Sequence, residues 1–144
     1  MNCTIKSFDQ LTVYELYEIL RLRQEAFIVE QGGRYQDLDQ IDYESLHIFF
    51  TDDNQQLLGC VRIFPKPDEV NTVQIGRLVT RIRHEGLGQM LMEKAAHIAH
   101  EYYHSSSLYL TGRRDAKNFY LKCGYEIVKE HEHYFEFRAS ILNE

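Results

Sequence analysis

The chain has 144 residues, a length that suits one domain of ordinary size, and 44% of them are hydrophobic, enough for a core without disulfide or metal staples. Twenty-two acidic residues against sixteen basic ones leave a formal net charge of −6, which argues against the basic surface of a nucleic-acid-binding protein and agrees loosely with a cationic small molecule or peptide as partner. Cys3, Cys60 and Cys123 are odd in number and form no Cys-x-x-Cys pair, the start Met-Asn-Cys-Thr-Ile-Lys carries no apolar signal core, and no apolar run nears the ~20 residues of a bilayer span. The expectation is a reduced, cytoplasmic protein with neither nucleic acid nor membrane as partner; whether it is a monomer or a homodimer stays open.

In chain order, Cys3 to Phe8 reads as a first strand, and Thr12 or Asp9 as the cap of a helix over about Leu11 to Val29. Leu16, Ile19, Leu20, Arg23 and Phe27 fall on one stripe of that helix, with Val13 beside them. Gly32-Gly33 breaks it, and the polar stretch from Arg34 to Ser45 reads as a surface loop lining a site. Leu46 to Thr51 and Leu57 to Phe64 read as paired strands around the turn Asp52 to Gln55, with Gly59 marking a bulge or a close backbone approach. Val73 to Val79 is the next strand, followed by glycines and a helix reaching about Tyr103. Leu108 to Thr111 is a strand. A helix opens at Arg114 or Asp115 and closes at Gly124, and Tyr125 to Val128 and Tyr134 to Phe137 are the last strands. The order β-α-β-β-β-α-β-α-β-β predicts an α/β fold: one domain over 1–144, with a central mixed sheet and helices on both faces.

The stretch Val73 to Met92 carries the chemistry. A strand runs into Arg83-His84-Glu85-Gly86-Leu87-Gly88, and Leu87, Met90, Leu91, Ala95, Ile98 and Tyr102 then recur at helical spacing. Glycines at a helix N-terminus gather backbone N–H groups at the positive end of the dipole, an anion site and most often a phosphate site. A P-loop is excluded, because no Gly-x-x-x-x-Gly-Lys-[Ser/Thr] run exists. The dinucleotide pattern fits poorly: Leu91 stands at its third glycine, and Tyr109 and Leu110 stand where an acidic residue is needed.

The Arg-x-x-Gly-x-Gly loop resembles the acyl-CoA loop of the GNAT N-acetyltransferases, and Asn118-Phe119-Tyr120-Leu121-Lys122-Cys123-Gly124-Tyr125 resembles that family's second signature, Asn-Phe-Tyr-x-x-x-Gly-[Phe/Tyr]. Glu15-Leu16-Tyr17, Leu22-Arg23, Phe27 to Gln31, Asp39, Asp42, His47 and Ile75 to Val79 resemble the ElaA-like branch, so the likeness spans about Glu15 to Tyr125. Two segments depart from the branch. Gly112-Arg113 stands where Ala-Gln is usual, and Glu130-His131-Glu132-His133 where Asp-Gly-Ile-Pro-His is usual.

The resemblance implies a GNAT-like acyl-CoA N-acyltransferase fold and acetyl transfer from acetyl-CoA to a primary amine of a small molecule or peptide, with no metal. It implies that backbone groups of Arg83, His84, Glu85, Gly86, Leu87 and Gly88 hold the pyrophosphate. Leu78, Val79 and Thr80 would pair with the pantetheine amides, and Asn118 would touch the cofactor. Tyr120 is the expected general acid, its phenol pKa of ~10 keeping it protonated at neutral pH. The base is open among Glu30, Asp39, Asp42, His47 and His133. Arg23, Arg77, Glu30, Asp42, His47 and His133 are the candidate acceptor contacts; Arg23, on an apolar stripe, reads equally as a buried, paired arginine. An acyl-CoA-binding sensor without catalysis is the alternative on the same fold.

Overall fold

The computed structural model describes residues 1–81 and 86–141. The described residues form seven strands and three α-helices: β1 (Asn2–Ser7), α1 (Val13–Arg23), β2 (Leu46–Thr51), β3 (Leu57–Pro65), β4 (Thr72–Thr80), α2 (Leu87–Tyr103), β5 (Ser107–Arg113), α3 (Lys117–Lys122), β6 (Glu126–Glu130) and β7 (Tyr134–Ser140). The strands form one sheet in the order β1-β2-β3-β4-β5-β7-β6. It is mixed, as the element order predicts: β4 and β5 are parallel, while β1–β2, β5–β7 and β6–β7 are antiparallel. Backbone contacts gather in two compact units, Met1–Arg62 with Arg77–Leu91, and Ile63–Gly76 with Met92–Glu144.

In the first unit, Thr12 caps α1 through a reciprocal box. The Glu15 N–H donates to Thr12 Oγ1 at 3.0 Å, and the Thr12 N–H donates to Glu15 Oε1 at 2.8 Å. The apolar stripe then buries Ile19 and Leu22 against Phe49, Leu57, Cys60 and Val79. Val13, placed beside that stripe by the sequence, is exposed, and Leu22 is buried instead. The expected single helix also changes pitch. From Gln24 to Glu30 it is a π-helix, and the Gln31 N–H reaches back five residues to the Ala26 carbonyl at 3.1 Å. The wider turns end at Gly32, at φ +68°, where the sequence predicts a break.

Gly59 is the close approach the sequence predicts. A Cβ there would lie 2.9 Å from the Val79 carbonyl oxygen and 3.1 Å from Leu91 Cδ1. In the second unit, β5 and β7 alternate in the direction of their side chains, although Tyr109 is buried as well. Leu108, Leu110, Phe135 and Phe137 are buried on one face, while Thr111 is exposed and Glu136 and Arg138 half-buried on the other.

The steric limit at Gly59 gives a direct expectation. Gly59→Ala destabilises the protein by about 1–3 kcal/mol in chemical denaturation, as overpacking against a backbone oxygen does; a change below about 0.5 kcal/mol contradicts the packing described.

Candidate active site

The donor side begins where β4 ends. Leu78, Val79 and Thr80 lie on its last turnless stretch, with Val79 buried and the other two half-buried. Arg77 precedes them at φ +54°, a left-handed conformation rare for a side-chain-bearing residue in a strand. Gly86, at φ +91°, opens α2: its carbonyl accepts the first helical bond, from the Met90 N–H at 2.9 Å. Among the described residues, its chain neighbours aside, nothing lies within 4 Å of the place a Gly86 Cβ would take. The N–H groups of Leu87 and Gly88 belong to the first turn, where no helical acceptor exists. The strand-glycine-helix reading therefore holds, and its backbone has the open approach an anion needs. Arg83, His84 and Glu85 lie outside the described residues.

Tyr120 sits on α3. Its ring fills the space beside Gly112, where a Cβ would come within 2.7 Å of Tyr120 Cε2. Phe137 and Phe119 flank the ring, each with centroids 5.1 Å away. Burial, then the neighbouring Cys123, pushes the Tyr120 phenol up to about 12, so it is neutral at physiological pH. Gly124, at φ +94°, ends α3 as its sequence position predicts. Beside Tyr120, the Tyr125 hydroxyl is buried without a hydrogen-bond partner among the described residues. Asn118 is exposed in the first turn of α3.

The polar stretch after Gly33 is not a loose surface loop. Arg23 donates from Nε to Asp37 Oδ2 at 2.9 Å and from Nη1 to Asp42 Oδ1 at 2.7 Å. Arg62 reaches Asp42 at 3.0 Å and clamps Asp39 through two bonds of 2.6 and 2.8 Å. Arg77 pairs with Asp37 at 2.7 Å and with Asp39 at 3.3 Å, and lies over the Tyr35 ring. Three guanidinium groups and three carboxylates thus form one neutral lattice joining α1, β3, β4 and residues 35–42. Arg23 is 1% exposed, Asp42 6% and His47 2%. These three, expected to touch an acceptor, are enclosed within the protein and hold the loop instead. His47 Nε2 meets the Asp42 carbonyl at 3.0 Å, and burial keeps its pKa below the ordinary value.

Of the remaining expected acceptor or base residues, Glu30 is exposed at the end of the π-helix, Arg77 and Asp39 are about a quarter exposed, and the His133 side chain is 85% exposed. Asp39 and Arg77 are committed to the ion-pair lattice, and His133 Nε2 lies 3.8 Å from Glu132. His131, which the sequence shows only as part of the departing segment Glu130 to His133, meets a carboxylate. His131 Nε2 lies 2.5 Å from Glu136 Oε2, and Tyr109 donates its hydroxyl to Glu136 Oε1 at 2.7 Å. The strand register brings these three together, and the only signal in the sequence is the alternation of β5 and β7.

The lattice makes stability depend on acid. Burial opposes ionisation of Asp39, but bonding and charge from Arg62, then charge from Arg77, hold its pKa down at about 2, below the ordinary 3.8. Asp42 is lowered too, with Arg23 and Arg62 outweighing burial. A carboxylate depressed in the folded state contributes stability above its unfolded pKa and loses it as pH falls through the folded one. The melting temperature therefore falls steeply between about pH 4 and pH 2. Asp39→Asn melts lower at pH 7 and shows a shallower fall; an unchanged slope contradicts the assignment.

Residues 14–125 match the model of the acetyltransferase (GNAT) family. The chain is 34% identical to protein ElaA of Escherichia coli strain K12 over 126 residues, covering 85% of this chain and 82% of that protein. The crystal structure of an acyl-CoA N-acyltransferase from Pseudomonas aeruginosa superposes with a TM-score of 0.86 at 33% identity, covering 95% of this chain and 97% of that one. The crystal structure of Escherichia coli ElaA superposes with a TM-score of 0.84 at 28% identity, with the same coverage. With the fold, the glycine-opened α2 and the half-buried Tyr120 in place, these likenesses agree: the chain belongs to the GNAT acetyltransferase family and has its acyl-CoA N-acyltransferase fold.

Proposed function

We propose that the chain works as a single domain that transfers an acetyl group from acetyl-CoA to a primary amine of a small molecule or peptide, by direct attack in a ternary complex. The observation that carries this reading is the state of Tyr120. Gly112 leaves room for its ring, and burial keeps its proton on at physiological pH. A neutral phenol is what a departing thiolate requires as proton donor.

Several features support the donor assignment. The first-turn N–H groups of α2 and the bare Gly86 suit a pyrophosphate, with the helix dipole adding favourable charge. Leu78, Val79 and Thr80 present strand backbone that can pair with an extended amide arm. Arg83, His84, Glu85 and Asn118 are assigned to the cofactor by motif. The Pseudomonas aeruginosa relative is itself described as an acyl-CoA N-acyltransferase. On the acceptor side, Glu30, Arg77 and His133 are the expected residues that reach solvent. No disulfide joins Cys3, Cys60 and Cys123 among the described residues, and burial pushes the Cys60 thiol up to about 12; this suits a reducing compartment such as the cytoplasm.

Tyr120→Phe keeps the ring against Gly112 and removes only the hydroxyl. Turnover falls by about 10²-fold or more, while acetyl-CoA raises the melting temperature of the variant as it does that of the parent. Unchanged turnover under chemistry-limited conditions removes Tyr120 from the mechanism. Acetyl-CoA binding by the parent without thiol release from any amine favours the sensor reading.

A further inference from the structure

Glycine takes a left-handed backbone at little cost, and β4 has one in Gly76. The left-handed residue of the strand is nevertheless Arg77, at φ +54°, while Gly76 beside it has no positive φ. A residue with a Cβ stays in that region only where its surroundings over-determine it. The ion-pair lattice of the first unit does so. Arg77 Nε lies 2.7 Å from Asp37 Oδ1. Arg77 Nη2 donates to the Asp37 carbonyl at 3.2 Å and to Asp39 Oδ2 at 3.3 Å. The guanidinium also lies over the Tyr35 ring, 5.5 Å from its centroid. These partners are themselves held. Asp37 accepts from Arg23 through Oδ2 at 2.9 Å and through its carbonyl at 3.1 Å, and Arg62 clamps Asp39 with two nitrogens. Arg23 and Arg62 are buried, so the anchor of Arg77 is rooted in the core and is not a surface pair free to swing.

The turn at Arg77 decides what the next residues of β4 present. Val79 packs with Ile19 and Leu22 of α1, the helix whose Arg23 shares Asp37 with Arg77. Thr80 alternates to the opposite face, where its Cγ2 comes within 3.2 Å of the place a Gly59 Cβ would take, beside Leu91 of α2. The Arg81 N–H then donates to the Leu58 carbonyl at 2.7 Å, which ties the strand end to β3. Rotating Arg77 out of the left-handed region re-aims the peptide groups between that turn and Arg81. Hydrogen bonds weaken steeply as their angle closes, so a re-aimed strand pairs poorly with an extended amide arm.

We propose that Arg77, held by Asp37 and Asp39, is a positioning residue whose ion pairs keep β4 turned so that Leu78, Val79 and Thr80 present their backbone to the pantetheine arm of the coenzyme. The role rests on the donor assignment above. It stands in place of the acceptor contact expected for Arg77 and requires no contact between the guanidinium and either substrate. The lattice then does more than tie down residues 35–42: it carries charge pairing in the core of the first unit into the geometry of the donor strand.

The test is calorimetric titration, well below each melting temperature, with coenzyme A and with adenosine diphosphate, which keeps the pyrophosphate and lacks the pantetheine arm. Arg77→Gly removes the anchor but leaves the left-handed turn accessible, whereas Arg77→Ala removes the anchor and keeps a Cβ that disfavours the turn. In both variants Asp37 keeps Arg23 and Asp39 keeps Arg62, so both fold, as circular dichroism checks. The Kd for coenzyme A rises about tenfold or more in Arg77→Ala, where the competent strand becomes a minor population, and stays within about threefold of the parent in Arg77→Gly. Adenosine diphosphate binds both variants as it binds the parent. Arg77→Gln, which keeps the length and loses the charge, behaves as Arg77→Ala and takes its place should that variant not fold. Arg77→Asn, tolerated in the left-handed region, stands in likewise for Arg77→Gly. Equal losses in Arg77→Ala and Arg77→Gly mean that the guanidinium itself meets the coenzyme, and they overturn the proposal. So does coenzyme A affinity within about threefold of the parent in both. A loss of adenosine diphosphate affinity that matches the loss for coenzyme A shows general damage to the unit and also overturns it. A parent that binds neither ligand defeats the donor assignment itself.

Discussion

A Cβ at position 112 would stand inside the volume of the Tyr120 ring, 2.7 Å from Cε2. That steric constraint fixes where α3 lies against β5 and β7. It brings the half-buried Tyr120 ring against Phe137, and that burial keeps the phenol protonated. Because β5 alternates, placing Gly112 toward Tyr120 also commits Tyr109 and Thr111 to the opposite face, where Glu136 and His131 wait across the β5–β7 pairing. Gly112 is also where this chain departs from the Ala-Gln usual in its branch.

The first unit solves a different problem. Burying Arg23 among Ile19, Leu22 and Phe49 costs several kcal/mol in lost hydration unless every charge is matched. Asp37, Asp39 and Asp42 match Arg23, Arg62 and Arg77 in number, sign and bonding geometry. Removing any one member leaves a stranded charge, so the lattice acts as a single device that ties residues 35–42 to α1, β3 and β4. Its neutrality also limits what can bind beside it. No carboxylate of this set is left over for a cationic acceptor, and acceptor selection falls to groups that reach solvent.

Much of the fold is legible in the chain because its signals are local. Thr12 with Glu15 announces a capped helix, Gly32-Gly33 its end, Gly124 the close of α3, and the strand-glycine-helix of Val73 to Met92 the parallel crossover. Gly59 and Gly124 do what their sequence positions suggest. What escaped reading is non-local. Where α1 changes into a π-helix, Ala26 and Phe27 pack against the core cluster, and residue spacing carries no trace of the change. In the sequence Arg23 reads equally as an acceptor contact and as a buried, paired arginine, and Asp42 and His47 read as candidate bases or acceptor contacts. Their partners, 5 to 20 residues away, become visible only once β2 and β3 are placed. His131 and His133 are alike in sequence; the register of β7 gives one of them a carboxylate and leaves the other in solvent.

The central claim is that the opening of α2 and the end of β4 hold the coenzyme. Backbone amide shifts of the ¹⁵N-labelled protein, followed while coenzyme A is titrated in, test it most directly. The account predicts saturable one-to-one changes centred on the amides of Gly86, Leu87 and Gly88 and on those of Leu78 to Thr80. Titration that leaves these amides unmoved, or that moves a set elsewhere in the chain, contradicts it.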